Sequence, residues 1–224
     1  MIPHGWELLA LGAIVGLDLV SFPQIMLARP IVAGSVAGLL LGDVGAGLRI
    51  GVLFELFQYD ILPVGATRYP EYGPATVIAV GAVHTFALPF GIGLATVVGL
   101  FTAMIGGMSL QVLRRLNTRA VTAAAPALER GDVRVLYRLH FAGAGRDLAR
   151  AALVTAFGLG LVALTRAFVV PALSHRGERL LSVAATGAAL AAGAAGTIRL
   201  VGLGTHLKWL AAGLVGGIVV AWLI

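Results

Sequence analysis

Cysteine is absent from the 224 residues, which excludes disulfides, thiolate metal centres and a cysteine nucleophile. Charge is scarce as well. Asp, Glu, Lys and Arg together make up 12% of the chain, about half of what a soluble domain carries. The five histidines are scattered and show no H-x3-H spacing for a metal. No glycine-rich loop running into Lys-Ser or Lys-Thr is present to cradle phosphate, and the Gly143/Gly145 pair lacks both a third glycine and a preceding strand. No Ser/His/Asp grouping stands at a useful spacing. An intramembrane enzyme therefore has nothing to work with, and no metal or cofactor is expected.

What is present in quantity is apolar: 59% of positions, with a mean hydropathy of +0.97. The runs are long and continuous without strand-like alternation, so they predict helices rather than a barrel. The expected class is an all-α, polytopic integral membrane protein, a single transmembrane domain over residues 1–224 with several spans of ~20 residues each. Thirty-one glycines point to helices in close contact through small residues. A net charge of +6 reads as membrane topology rather than nucleic-acid binding. Met1 to Gly5 carries no basic region and the following apolar run has no A-x-A-like exit before Arg29, so no removable signal is expected.

The most informative stretch is Gly38 to Pro74, within a motif region spanning 30–74. It starts apolar and then carries Asp43, Arg49, Glu55, Asp60, Arg68 and Glu71 through membrane-like surroundings. Ionised groups at such depth cost at least a few kcal/mol each unless they face a cavity or partners. Gly47, Gly51, Pro63, Gly65, Pro70, Gly73 and Pro74 break helices and allow backbones to approach. Broken backbone cannot face lipid, so it must be buried in protein or line a hydrated pocket. Interrupted helices with carboxylates nearby are how transporters build a site for a polar solute. Asp43 is expected to cap a broken helix.

The run Gly38-x3-Gly42-Asp43-x3-Gly47, followed by Leu48, Ile50, Gly51 and Glu55, resembles the signature of membrane subunit IIC of the mannose/fructose/sorbose family of bacterial sugar phosphotransferase systems. Arg29-Pro30 before it and Val64-Gly65-Ala66 after it fit the same pattern. The resemblance implies a multi-pass subunit of the bacterial inner membrane with broken or re-entrant helices. It implies movement of a hexose-type sugar by an elevator-like mechanism, in an oligomer with a IID-type membrane subunit. Phosphoryl transfer would be left to cytoplasmic IIA and IIB phosphocarriers. It also places the substrate contacts at Glu55, Glu71, Gly65 and Ala66. A carboxylate accepts two or more hydrogen bonds, which suits sugar hydroxyls. Two readings stand for the glutamates: contact with substrate, or internal pairing with Arg49 or Arg68. Three departures from the family pattern are visible: Arg49 and Val52 in place of an aliphatic residue and a glycine, Pro63 where sugar-transporting members often carry asparagine, and Tyr69-Pro70-Glu71 in place of a triplet ending in aspartate. They leave open a second function, a transport-incompetent IIC-like component with a regulatory or structural role.

Elsewhere, Trp6 to Phe22 is long enough to cross a bilayer, with Asp18 either satisfied by neighbouring backbone and hydroxyls or close to a pathway. Arg29 is expected as an interfacial anchor before the segment Pro30–Leu41. Ala75 to Val112 divides around Pro89, and His84 is expected as a packed, neutral side chain. The segment 114–150 holds Arg114, Arg115, Arg119, Arg130, Arg134, Arg138, Arg146 and Arg150, half of the sixteen basic residues. The positive-inside rule makes it cytoplasmic. Its alanine-rich middle, interrupted at Pro126 and Gly131, predicts short amphipathic helices on the membrane surface, serving lipid anchoring or a docking face for a partner. His140, Arg146, Asp147 and Arg150 are expected to form an ion-paired start to the span Ala151–Pro171. Ser174–Arg179 reads as a turn on the opposite side. Leu180–Leu203 follows, with Gly193 and Gly196 available for a close helix neighbour and Arg199 either snorkelling or facing the pathway.

Overall fold

The computed structural model describes residues 2, 4–59, 61, 68–201, 208, 209, 211–213, 215, 216 and 219. Among them the elements are helical throughout: α1 Gly5–Val20, α2 Pro30–Leu40, α3 Val44–Tyr59, α4 Tyr72–Phe86, α5 Ile92–Glu129, α6 Val133–Leu164 and α7 His175–Val201. A π turn, Thr165–Val169, and a short 3-10 turn, Val170–Ala172, extend α6 toward α7. The all-α membrane class expected from composition is what the chain forms. Ile92–Glu129, Val133–Ala172 and His175–Leu200 are long and apolar enough to cross a membrane.

The helices before α5 are shorter. With 11 residues, α2 is about 16 Å long, half of the ~30 Å hydrocarbon layer. Pro30 opens it at the first helical position, where the missing N–H costs nothing. It then turns back into α3 through Leu41-Gly42-Asp43. Gly42 takes a left-handed φ of 74°, its N–H donates to Leu39 O, and the Asp43 N–H donates to Gly38 O. This closes α2 with a glycine turn that satisfies its last carbonyls. The Asp43 carboxylate accepts the Ala46 N–H at 2.8 Å, so Asp43 caps the next helix as expected.

The two arms touch backbone to backbone. A Cβ on Gly34 would lie 2.5 Å from Gly47 O, and one on Gly38 would lie 2.9 Å from the Gly47 Cα. The motif glycines are the seam of a helical hairpin too short to span a bilayer.

At the centre lies α4. From Tyr72 to Ala82 every residue is buried, and α4 packs against α1, α2, α3, α5 and α6. A helix apolar on all sides needs such a sheath. Its length, 15 residues, gives about 22 Å, and it stops at Ala87, two residues before Pro89. Ile78, Val77 and Val80 meet Leu8 and Val15 of α1 and Ile50 and Phe54 of α3 in one core. Phe54 and Tyr72 sit edge to face, with ring centroids 6.0 Å apart. His84, near the end of α4, is exposed rather than packed.

The basic segment 114–150 departs most from expectation. It forms no surface helices. Instead the segment continues α5 to Glu129 and starts α6 at Val133, the two arms of one helical hairpin. Helix α5 has 38 residues, about 57 Å, nearly twice the ~30 Å hydrocarbon layer. Alanine, the best helix former, fills five of the eight positions 120–127, and the helix continues through Pro126 to Glu129. The hairpin tip repeats the turn used between α2 and α3. Gly131 is left-handed at φ 76°, its N–H reaches Leu128 O and the Asp132 N–H reaches Ala127 O. Asp132 then caps α6, accepting from Arg134 N and Val135 N. The same Gly-Asp pair thus ends one helix and starts the next at both hairpins.

Arg119 and Arg134 sit exposed on the two arms. With no native cysteine, a single cysteine at either position is a clean topology probe. Both should resist an impermeant thiol reagent in intact cells and react once the membrane is permeabilised. Labelling of either in intact cells would reverse the orientation.

At the other end the turn is only Leu173–Ser174, and α7 begins at His175. The Arg179 guanidinium lies 4.8 Å from the Phe90 ring centroid, a cation–π contact rather than a free turn residue. Helix α7 packs on α3 and α5. At Gly193 an added Cβ would lie 2.8 Å from Leu56 Cδ2, the close neighbour foreseen there. Arg199 is exposed. Large apolar side chains on the outside of α6 and α7, among them Leu153, Phe157, Phe168 and Val183, present the surface that lipid covers.

Candidate functional site

Polar chemistry concentrates where α4 begins. Glu71 stands at the N-cap position of α4 with extended backbone, and its N–H donates to Ala103 O at 2.8 Å. Its side chain is fully buried. Both carboxylate oxygens are taken by Arg150 of α6, through Nη1 at 2.5 Å and Nη2 at 2.9 Å. This is the two-pronged pairing that guanidinium geometry favours. Arg150 spends its remaining donors nearby: Nε on Asp147 at 2.9 Å, Nη1 also on the Ser109 hydroxyl, and Nη2 also on Gly16 O. The Ser21 hydroxyl donates to the other Asp147 oxygen at 2.5 Å.

Two carboxylates and one guanidinium thus form a connected network joining α1, the α1–α2 loop, α4, α5 and α6. Glycines make room for it. A Cβ on Gly106 would lie 2.6 Å from Glu71 Oε2, and one on Gly16 would lie 3.2 Å from Oε1.

These contacts correct two expectations. The internal partner of Glu71 is Arg150, not Arg68, which is exposed. Asp147 and Arg150 do not start a helix, because α6 begins fourteen residues earlier, at Val133. They are buried in its middle, where an unpaired charge would be costly, and Arg150 there pairs with both Asp147 and Glu71.

Glu55 is also engaged within the protein. It pairs with the Arg29 guanidinium and accepts the Ile31 N–H at 3.2 Å, one of the open donors of the first turn of α2. Arg29 is therefore a partner of Glu55. Arg49 is exposed and bonds its own helix at Gly45 O, so it is not the partner of Glu55. Gly65 and Ala66, with Asp60 and Pro63, lie outside the described residues.

A second polar locality lies between the α1–α2 loop, the end of α3 and the start of α4. Two adjoining cavities are found there. One of about 190 Å³ is lined by Asp18, Leu19, Gln24, Met26, Ala28, Arg29 and Gln58. The other, of about 70 Å³, involves Leu19, Ala28, Gln58, Ile61, Tyr69, Pro70, Tyr72 and Gly73. Asp18 is buried and accepts Ile25 N–H at 2.8 Å and Ala28 N–H at 3.0 Å, the backbone-satisfied role that was one of its two readings. Gln58, one turn beyond Glu55, lines both cavities. Sequence reasoning passed over it, because a glutamine on a helix carries no motif.

Comparison with known proteins gives a consistent answer. Residues 7–221 match the family model described as the PTS system sorbose-specific IIC component. The sorbose-specific EIIC component of Klebsiella pneumoniae is 30% identical over 117 residues, covering 52% of this chain and 43% of that protein. The mannose-specific EIIC component of Escherichia coli K12 is 26% identical over 112 residues, covering 50% and 41%. The fructose permease IIC component of Bacillus subtilis 168 is 29% identical over 113 residues, covering 50% and 41%. The matched part is thus less than half the length of these curated relatives. A solved structure titled "Structure of membrane protein" superposes with a TM-score of 0.77 at 19% identity, covering 97% of this chain and 87% of that one. The family match over almost the whole chain, on a fold of apolar helices, makes this an integral inner-membrane protein that belongs to the sorbose-type IIC family of the bacterial phosphotransferase system.

Proposed function

We propose that the chain is the sugar-translocating IIC subunit of a phosphotransferase uptake system. It would carry a hexose-type sugar across the inner membrane with a IID-type subunit, for phosphorylation by soluble IIA and IIB proteins. It is a transport subunit in this reading, not an enzyme. The observation that carries it is the family match spanning residues 7–221. The interrupted short helices α2, α3 and α4, with polar cavities at their ends, agree with it, since this is how transporters hold a polar solute away from lipid. The elevator-like step is a movement of these short helices against the long α5–α7 helices. Glu55 and Glu71 contribute to the site by holding its parts together, and either would meet the sugar directly only when its arginine lets go. Gly65 and Ala66 complete the proposed contact set.

One observation favours the second reading, a transport-incompetent component. The Glu71 carboxylate is already filled by Arg150, and Pro63 replaces the family's asparagine. The two readings part in the source bacterium. Deleting the gene should abolish accumulation and phosphorylation of one hexose among sorbose, mannose and fructose, with restoration by the wild-type gene. Undiminished uptake of all three would overturn the transport function and leave the regulatory one.

A further inference from the structure

We infer that Gln58 is a direct substrate contact, its carboxamide oxygen accepting a hydroxyl of a polyol that occupies the two cavities beside it. The inference rests on the proposed transport function and adds a residue that the family motif does not mark.

Gln58 Oε1 is buried and has no hydrogen-bond partner among the described residues. Buried acceptors are almost always satisfied, and an orphan on a side chain that lines a cavity points to something that enters. The other polar groups around it are already committed. Asp18 holds two backbone N–H groups, Arg29 holds Glu55, and the Tyr69 hydroxyl accepts from Arg114 at 3.3 Å. Gln58 Oε1 is left as the buried acceptor with no partner among the described residues, and the Gln58 side chain lines both the 190 Å³ and the 70 Å³ cavity.

The walls fit a sugar too. Leu19, Ile61, Pro70 and Tyr72 offer apolar and aromatic surface for C–H faces, and a few placed polar groups on apolar walls are the usual makeup of a small-molecule site. One wall is also strained. Gln24 and Met26 adopt left-handed φ values of 58° and 67°, conformations that non-glycine residues avoid and that cluster at ligand clamps. The Asp18 carboxylate holds that loop through Ile25 N and Ala28 N. The same chemistry could be met by a resident water, and the experiment separates the two.

The gene is replaced in the source bacterium by Gln58→Leu and Gln58→Asn. Membranes are then assayed for binding of radiolabelled sorbose, mannose and fructose, and of the monodeoxy analogues of whichever sugar binds. Wild type should bind one hexose and discriminate against one deoxy analogue. Gln58→Leu should bind that hexose about ten- to hundredfold more weakly, the loss expected for one buried hydrogen bond, and should no longer discriminate against that analogue. Gln58→Asn, which withdraws the carboxamide by one methylene, should fall between. The melting temperature of Gln58→Leu in detergent should be unchanged or higher, because an unpaired carbonyl has been replaced by an apolar group. Unchanged hexose affinity and unchanged discrimination in a folded Gln58→Leu would overturn the inference and leave Gln58 with a resident water. Absence of hexose binding by wild-type membranes would instead remove the transport function, and this inference with it.

Discussion

Arg150→Met should be among the most destabilising single changes in this protein. The side chain is 8% exposed and is the common partner of two carboxylates that are fully buried. Removing it leaves Glu71 and Asp147 without their cation, and an uncompensated buried charge costs about 3–5 kcal/mol. For a chain of this size that corresponds to a fall in melting temperature on the order of 10 °C, measurable by thermal unfolding in detergent. The pair itself is not the source of stability; its separation is the source of the loss. Replacing the whole group by apolar residues, Glu71→Leu with Asp147→Leu and Arg150→Met, should therefore recover much of the deficit. Arg68→Ala should change stability by no more than about 0.5 kcal/mol, as exposed substitutions do. A large effect at Arg68 with a small one at Arg150 would show that Glu71 has a different partner in the working protein.

A comparable loss is expected from one methyl group at Gly47. Its Cβ would run into Gly34 O and stand 2.8 Å from the Gly38 Cα. Both obstacles are backbone, so no rotamer change relieves them, and the arms of the α2–α3 hairpin must move apart. Overpacking typically costs 1–3 kcal/mol, and a backbone clash on both sides puts Gly47→Ala at about 3 kcal/mol or more. Gly45→Ala is the control on the same helix. Its Cβ would find nothing nearer than Asp43 Oδ1 at 3.5 Å, and alanine is the better helix former by roughly 1 kcal/mol. The two variants should move the melting temperature in opposite directions. Equal tolerance of alanine at both positions would mean that the seam is looser than the structure has it. Because α3 carries Glu55 and Gln58, Gly47→Ala should also weaken sugar binding if it folds.

Features that depend on neighbours in sequence were readable in advance. The apolar runs dictate helices in a membrane, since lipid leaves the backbone no other solution. Asp43 announces a cap because its side chain reaches only the next turn of its own chain. Repeated glycines at Gly38, Gly47 and Gly51 announce a close approach, because nothing larger fits between two helix backbones. The long α5–α6 hairpin also differs from its sequence expectation for a local reason. Pro126 and Gly131 read as breaks, yet α5 continues through Pro126 with one backbone hydrogen bond forgone and ends only at Glu129, before Gly131.

Pairings were a different matter. Glu71 and Arg150 are 79 positions apart, and nothing in either neighbourhood names the other. Arg68 is close in sequence, but it faces outward at the rim while the helix bundle brings Arg150 inward. Likewise Glu55 meets Arg29 because the α2–α3 hairpin folds Arg29 back alongside it, whereas Arg49 points away from it on the exposed side of α3. Gln58 was invisible for a related reason. Its significance lies in having no partner, and a missing partner is defined only once every other chain segment has taken its place. Local chemistry determines which groups a helix must satisfy; only the packed bundle decides which distant groups satisfy them, because burial, not sequence distance, makes an unpaired charge or carbonyl costly.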